Sequence, residues 1–295
     1  MELSLTFDIE MCTNFPYWSD VWDHRKGAID APTRLHIGKL ADLAQELGVR
    51  FQWFVLGAAV EADDIAYLQR LVAEGHAVGN HTYHHVNVKA QRFEDLQVVY
   101  NHDPSKLQGA ATPFDVVADE ISATSDLIER HLGARPRGFR TPGGFGNGLH
   151  DAPTVQHLLQ SQGFAHCSSH YDCPLPTERP FAWETMERGV GESVRALQPY
   201  RYPNGLLEIP MMGISDIHAY RVRDLDRGEF TRLLEHGIEV AAQEDLAFSI
   251  LMHPQVQACR DPHGGMVRRL VGKALSLSGD VVTNDQIAEK KGTPY

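Results

Sequence analysis

Short apolar runs and amphipathic stretches take turns along almost the whole chain. Residues 3–9 form an apolar strand pattern, and 33–47 carry Leu35, Ile37, Leu40, Leu43, Ala44 and Leu47 at helical spacing, with Gly48 where a C-terminal cap belongs. Residues 51–56 read as a buried strand ended by Gly57, 65–72 as a helix stopped by Gly75, and 76–79 as a third strand. The rhythm returns with a helix over 116–132, a strand near Phe139, a helix over 155–159 and a strand around Phe164. It closes with 206–209 (strand), 230–242 (helix), 248–252 (strand) and 266–277 (helix). Alternation of this kind specifies parallel βαβ units, and so many of them in 295 residues predict one α/β domain over 1–295, a distorted, incomplete (β/α) barrel around a parallel strand core. Two stretches break the rhythm. Residues 86–113 are too long for an ordinary connection, and 173–203 are proline-rich with little periodicity, so both are expected to be loop insertions.

Composition removes several functions. The formal charge is −12 and no cluster of Lys and Arg occurs, which argues against a nucleic-acid binder that must neutralise phosphates, and against a polybasic membrane patch. No apolar run approaches the length of a bilayer span, and the first residues lack the basic and apolar regions of an export signal, so the expected compartment is the cytoplasm. Cys12, Cys167, Cys173 and Cys259 are dispersed without a C-x-x-C pair, as free thiols would be.

In a barrel of this class, reactive groups stand at the carboxyl ends of the strands. Asp8 and Glu10 end the first strand pattern and, being two apart, face the same side. His81 and His85 follow the third. Two imidazoles four apart on one turn, joined by a carboxylate, make a set that holds a divalent ion and leaves positions open for water and substrate. Arg140 stands beside a Pro142-Gly143 turn, where its guanidinium can orient Asp8 or Glu10. His253 follows the strand at 248–252 and is placed as a general acid. Each has a plainer reading: acids at strand ends cap helices, and 16 histidines make one His-x-x-x-His pair unremarkable. Phe15, Tyr17, Trp18 and Trp22 offer either a sugar-stacking platform or packing beneath a loop.

Taken in order, Thr6-Phe7-Asp8-Ile9-Glu10, Gly79-Asn80-His81-Thr82-Tyr83-His84-His85, Phe139-Arg140-Thr141-Pro142-Gly143 and Ile250-Leu251-Met252-His253 resemble motifs of the polysaccharide deacetylase family, carbohydrate esterase family four. The resemblance implies a divalent metal, zinc by expectation with cobalt, nickel or manganese as alternatives, held by His81, His85 and one carboxylate of the first motif. It implies that the other carboxylate is the general base, that Arg140 orients that base, and that His253 protonates the leaving amine. The family has two adjacent aspartates where this chain has Asp8-Ile9-Glu10; Asp8 as base and Glu10 as ligand is the assignment taken, with the reverse as its alternative. The acid that tunes the late histidine is matched to Asp172. The implied activity is hydrolysis of a C–N amide bond, N-deacetylation of an amino sugar in surface polysaccharide or glycoconjugate metabolism. The alternatives are a cyclic-amide hydrolase of allantoinase or imidase type, a sugar deformylase, or a non-catalytic barrel that only binds. The expected partner is an amino-sugar or small amide substrate.

Overall fold

Strand β1 (Glu2–Ile9) alternates strictly. Leu3, Leu5, Phe7 and Ile9 are fully buried against the surrounding helices, whereas Ser4, Thr6 and Asp8 turn to the other side and line the barrel interior. The computed structural model describes residues 1–13, 26–62, 64–96, 103–107 and 109–292. In chain order it contains α1 (Ala31–Leu47), β2 (Gln52–Val55), a single turn α2 (Gly57–Val60), α3 (Ala66–Ala73), β3 (Ala77–Asn80), α4 (Pro113–Leu132), β4 (Gly138–Phe145), α5 (Pro153–Ser161), β5 (His166–His170) and α6 (Trp183–Ala196). There follow β6 (Tyr200–Arg201), β7 (Leu207–Glu208), α7 (Arg227–Glu244), β8 (Ala247–Met252), α8 (Pro254–Arg260), α9 (Gly265–Ser276), β9 (Asp280–Val281) and α10 (Asn284–Lys290).

The sheet runs β6-β7-β5-β4-β3-β2-β1-β8, with β9 beside β1, and every pairing is parallel except β6 with β7. It curls into an incomplete barrel, as the alternation predicts. Between the β7 and β8 sides no ladder is present among the described residues, and the Met212 N–H donates across the seam to the Ser249 carbonyl at 2.9 Å.

Register is what gathers the site. Ile9 pairs with Val55, Val55 with Asn80, Asn80 with Phe139 and Phe7 with Met252. One step beyond each partner lie Glu10, His81, Arg140 and His253, all at the carboxyl rim. Gly79 permits this spacing, because a Cβ there would lie 2.6 Å from the Phe54 ring and 2.8 Å from the Gly138 carbonyl.

Local signals account for the helices. Asp30 caps α1 by accepting from the Thr33 N–H, and Gly48 closes it at φ 67°; Thr112 and Asp115 form a capping box on α4. Three expectations need correction. The strand read around Phe164 begins at His166. The segment 173–203 is not a bare loop but contains the 14-residue α6, whose Met186, Val190 and Val194 recur every fourth residue and are fully buried. The end of the chain adds α10, unread in the sequence: the Asp285 N–H donates to Gln52 Oε1 and the Ser249 hydroxyl to Asn284 Oδ1, so this helix closes the amino end of the barrel. In 86–113, the described residues form 3-10 turns at Phe93–Asp95 and Pro104–Leu107, and Val86, Val88 and Leu96 pack into the cluster around Phe139. No helix among the described residues is long and apolar enough to cross a membrane.

Candidate metal and catalytic centre

The turn after β3 is held in an unusual backbone. Thr82 and His85 both have left-handed φ, 64° and 66°, which non-glycine residues adopt only under constraint. The constraints are visible. Asn80 Oδ1 accepts from the Thr82 N–H at 2.8 Å while its amide donates to the Ile121 carbonyl and to Ser125 Oγ. Buried Glu120, on α4, accepts from the Tyr83 and His84 N–H groups at 2.8 and 2.6 Å. The result is that His81 and His85 point at one place, but through this clamped turn rather than a helical one.

There they meet Glu10. His85 Nε2 lies 2.7 Å and His81 Nε2 3.7 Å from Glu10 Oε2, and one donor atom from each of the three residues falls within 4.8 Å of the others. His81 Nδ1 is 3.0 Å from the Arg140 carbonyl, which can only accept, so the proton is on Nδ1 and the lone pair of Nε2 faces the carboxylates. That Nε2 is buried without a hydrogen-bond partner. An orphaned imidazole lone pair beside a carboxylate and a second imidazole is what a zinc-type cation takes as ligands, so the residues present fit such an ion. Charge points the same way. Burial works to raise Glu10, but Lys26 and His85 hold its carboxyl well below the usual range. Burial, reinforced by Lys26, pushes His85 down to about 4 despite Glu10, leaving it neutral and able to ligate at neutral pH. The Lys26 ammonium is 2.9 Å from Glu10 Oε2, and a cation using that oxygen would have to displace it.

Asp8 shares the cavity but is held by a different partner. Its Oδ1 accepts from Arg140 Nη1 at 3.0 Å, and Oδ2 is 3.8 Å from His81 Nε2. Arg140, fully buried, also donates to Thr6 Oγ1 and Ser168 Oγ and lies 4.4 Å from the Phe54 ring centroid. The guanidinium therefore engages Asp8 through one nitrogen, not as a bidentate fork, and it does not touch Glu10. The segment that follows is part of β4 rather than a simple turn: its register against β5 shifts between Arg140 and Phe145, and Gly143 takes φ 69°.

His253 Nε2 lies 3.7 Å from Glu10 Oε1, and its Nδ1 donates to Asp216 Oδ1 at 2.7 Å. Burial opposes its charge, but the carboxylate and hydrogen bond of Asp216, with Glu10 and Asp8, outweigh that and raise His253 above its ordinary value. The acid matched from the sequence, Asp172, is exposed and is not the partner. Buried Asp216 is, and it also accepts from the N–H groups of His253 and Ile217 and from Gln257 Nε2. Only its place after the 206–209 run could have flagged it.

Asp8, Glu10, His85, Gly143, Tyr171 and His253 line one cavity of about 180 Å³. A larger hollow of about 590 Å³ between α1 and α3 is lined by none of them. The aromatic residues Phe15, Tyr17, Trp18 and Trp22 lie outside the described residues.

Comparison with known proteins agrees with the motif reading. Residues 28–160 match the sequence model of the polysaccharide deacetylase family, a range holding His81, His85 and Arg140 but not Asp8, Glu10 or His253. A chitooligosaccharide deacetylase of Sinorhizobium fredii (strain NBRC 101917 / NGR234) is 27% identical over 126 residues, which are 39% of this chain and 58% of that protein. The chain thus spans little more than half the length of that relative. Among solved structures, a protein of Pseudomonas aeruginosa PAO1 named as a probable polysaccharide deacetylase superposes with a TM-score of 0.67 at 15% identity, over 100% of this chain and 92% of that one. The Puue allantoinase gives 0.67 at 14% identity, over 100% and 91%. Both likenesses show the fold.

Proposed function

We propose that this chain, whose residues 28–160 match the polysaccharide deacetylase family, is a divalent-metal-dependent hydrolase that removes the acetyl group from an N-acetylated amino sugar of a surface polysaccharide or glycoconjugate. The observation that carries the reading is the convergence, around one cavity, of a two-histidine-one-carboxylate set, a guanidinium-held aspartate and an aspartate-backed histidine. A divalent ion held by Glu10, His81 and His85, zinc by preference with cobalt, nickel or manganese as alternatives, would supply Lewis acidity that makes water a nucleophile at neutral pH and polarises the amide carbonyl.

The protein's own groups do the rest. Asp8, kept in place by Arg140, accepts the proton that the attacking water gives up as its oxygen bonds to the acyl carbon. His253, whose charged form Asp216 stabilises, donates the Nε2 proton to the amide nitrogen as the C–N bond breaks, releasing acetate and a free amine. Burial of Asp8, Glu10, Arg140 and His253 removes competing water and strengthens each of these interactions. The relative named for chitooligosaccharides supports an amino-sugar substrate. A second reading, hydrolysis of a small cyclic amide, is favoured by the cavity volume, which suits an acyl group or one small ring better than a whole disaccharide.

Acetate release from acetylated chitooligosaccharides, run beside a panel of cyclic ureides, imides and N-formyl sugars, tests both. The expected result is turnover of the acetyl sugars with about one divalent ion per chain, and loss of both ion and turnover in His81→Ala. Wild-type rates in a metal-free His81→Ala would refute the reading, and turnover confined to cyclic amides would shift it to the second.

A further inference from the structure

One wall of the cavity carries a polar group that this chemistry leaves unused. His218, at the start of a π-helical turn (His218–Val222), is half-buried and lines the cavity with Tyr171 and Ser215. Its Nδ1 is 2.7 Å from the Tyr171 hydroxyl and 3.3 Å from Ser215 Oγ, and the Tyr171 and His218 rings lie nearly parallel, 11° apart, with centroids 5.1 Å from each other. The Tyr171 oxygen already accepts from the Ser215 N–H at 3.1 Å, and burial raises the phenol above its ordinary value, so it keeps its proton. That proton has three destinations, Ser215 Oγ at 3.4 Å, the weakly accepting Cys173 thiol, or His218 Nδ1 at 2.7 Å. The shorter, better bond goes to the imidazole.

Nδ1 is then an acceptor, and the ring's one proton is on Nε2. Burial, with Arg223 and His253 nearby, lowers His218, so the ring is neutral at physiological pH. Nε2 has no partner among the described residues. We propose that His218 is a substrate-positioning donor: Tyr171 locks it as the Nε2–H tautomer, and Nε2–H binds an oxygen acceptor, a carbonyl or hydroxyl, flanking the scissile amide. The inference rests on the amide-hydrolase reading and adds a substrate requirement to it. Compounds whose amide lacks a neighbouring acceptor bind less well, because a donor placed to bind an oxygen is left unpaired.

The test uses the full chain labelled with 15N-histidine. In the wild type the His218 nitrogen spectrum is expected to show an unprotonated Nδ1 and a protonated Nε2, with the Nε2 resonance moving when an acetylated chitooligosaccharide is added. His218→Phe keeps a flat ring against Tyr171 and removes both nitrogens; KM is expected to rise about three- to tenfold with kcat and metal content little changed. Tyr171→Phe is expected to give a mixture of tautomers, and adding it to His218→Phe should cost nothing more. A wild-type proton on Nδ1, or an unchanged KM in His218→Phe, overturns the proposal. The two readings fail separately: if acetyl sugars are not turned over, the KM comparison moves to whichever cyclic amide is, while the nitrogen spectrum is read unchanged.

Discussion

Replacing Asp216 by Asn keeps the shape of the residue behind His253 and removes its charge. Asp216 Oδ1 accepts from His253 Nδ1 and the Ile217 N–H at 2.7 and 2.8 Å, and Oδ2 from the His253 N–H and Gln257 Nε2 at 2.7 and 2.8 Å. Whichever way the amide is turned, its NH2 faces two of these donors. A hydrogen bond to a charged group contributes about 1.5–3 kcal/mol, and at about 1.4 kcal/mol per tenfold this weakens protonation of His253 by a factor of about 10–150. His253 is raised in the wild type because Asp216, assisted by Glu10 and Asp8, outweighs burial; without Asp216 burial dominates and the acid form becomes scarce near neutrality. The assay is kcat/KM against pH. Its basic limb should move toward acid, with a loss that grows to about 10- to 100-fold on the alkaline side of the wild-type limb and is recovered on acidification. Linkage gives a second readout. A raised histidine stabilises the fold fully below its unfolded value and loses that contribution as pH rises through the folded one, so the stability gap between wild type and variant should narrow as pH increases. A basic limb that stays where it is would mean that Asp216 does not set the acid, and the reasoning fails.

Metal removal should be reversible: chelation abolishes activity, added zinc or cobalt restores it, and His81→Ala lowers ion affinity by about a hundredfold or more, read by calorimetry on the stripped protein. Gly79→Ala drives a methyl into the Phe54 ring and the Gly138 carbonyl and should cost about 2–3 kcal/mol by urea unfolding; a change below about 0.5 kcal/mol would contradict that packing. Phe7→Ala, losing a fully buried ring stacked 4.7 Å from Trp53, should cost about 3–5 kcal/mol in the same assay. Burial pushes His36 and His76 down to about 4, so the unfolded chain takes up their protons first. Stability should therefore fall as pH drops from about 6.5 to 4, by a few kcal/mol in total, and a flat urea midpoint across that range would exclude the effect.

The barrel was legible because its signal is local. A period of two put Leu3, Leu5, Phe7 and Ile9 on one side and Thr6 and Asp8 on the other, and a period near 3.6 marked α1, α4, α7 and α9. Helix α6 was obscured by flanking prolines and by Gly189, which is there because a Cβ would lie 2.5 Å from Leu175 Cδ2. Its Met186, Val190 and Val194 spacing was present all the same. Helix α10 escaped because seven residues are too few for a periodic pattern to stand out.

Taken alone, the sequence determined that Asp8 and Glu10 share a face, that strand ends bring acids, imidazoles and a guanidinium to one rim, and which family the motifs resemble. Only the tertiary structure decided which carboxylate meets which partner: Glu10 the His85 imidazole, Asp8 the guanidinium, and Asp216 rather than Asp172 behind His253. The reason is physical. Backbone geometry decides the side of a strand from neighbouring residues alone, whereas a contact between groups 37 to 132 positions apart depends on the register of every strand between them.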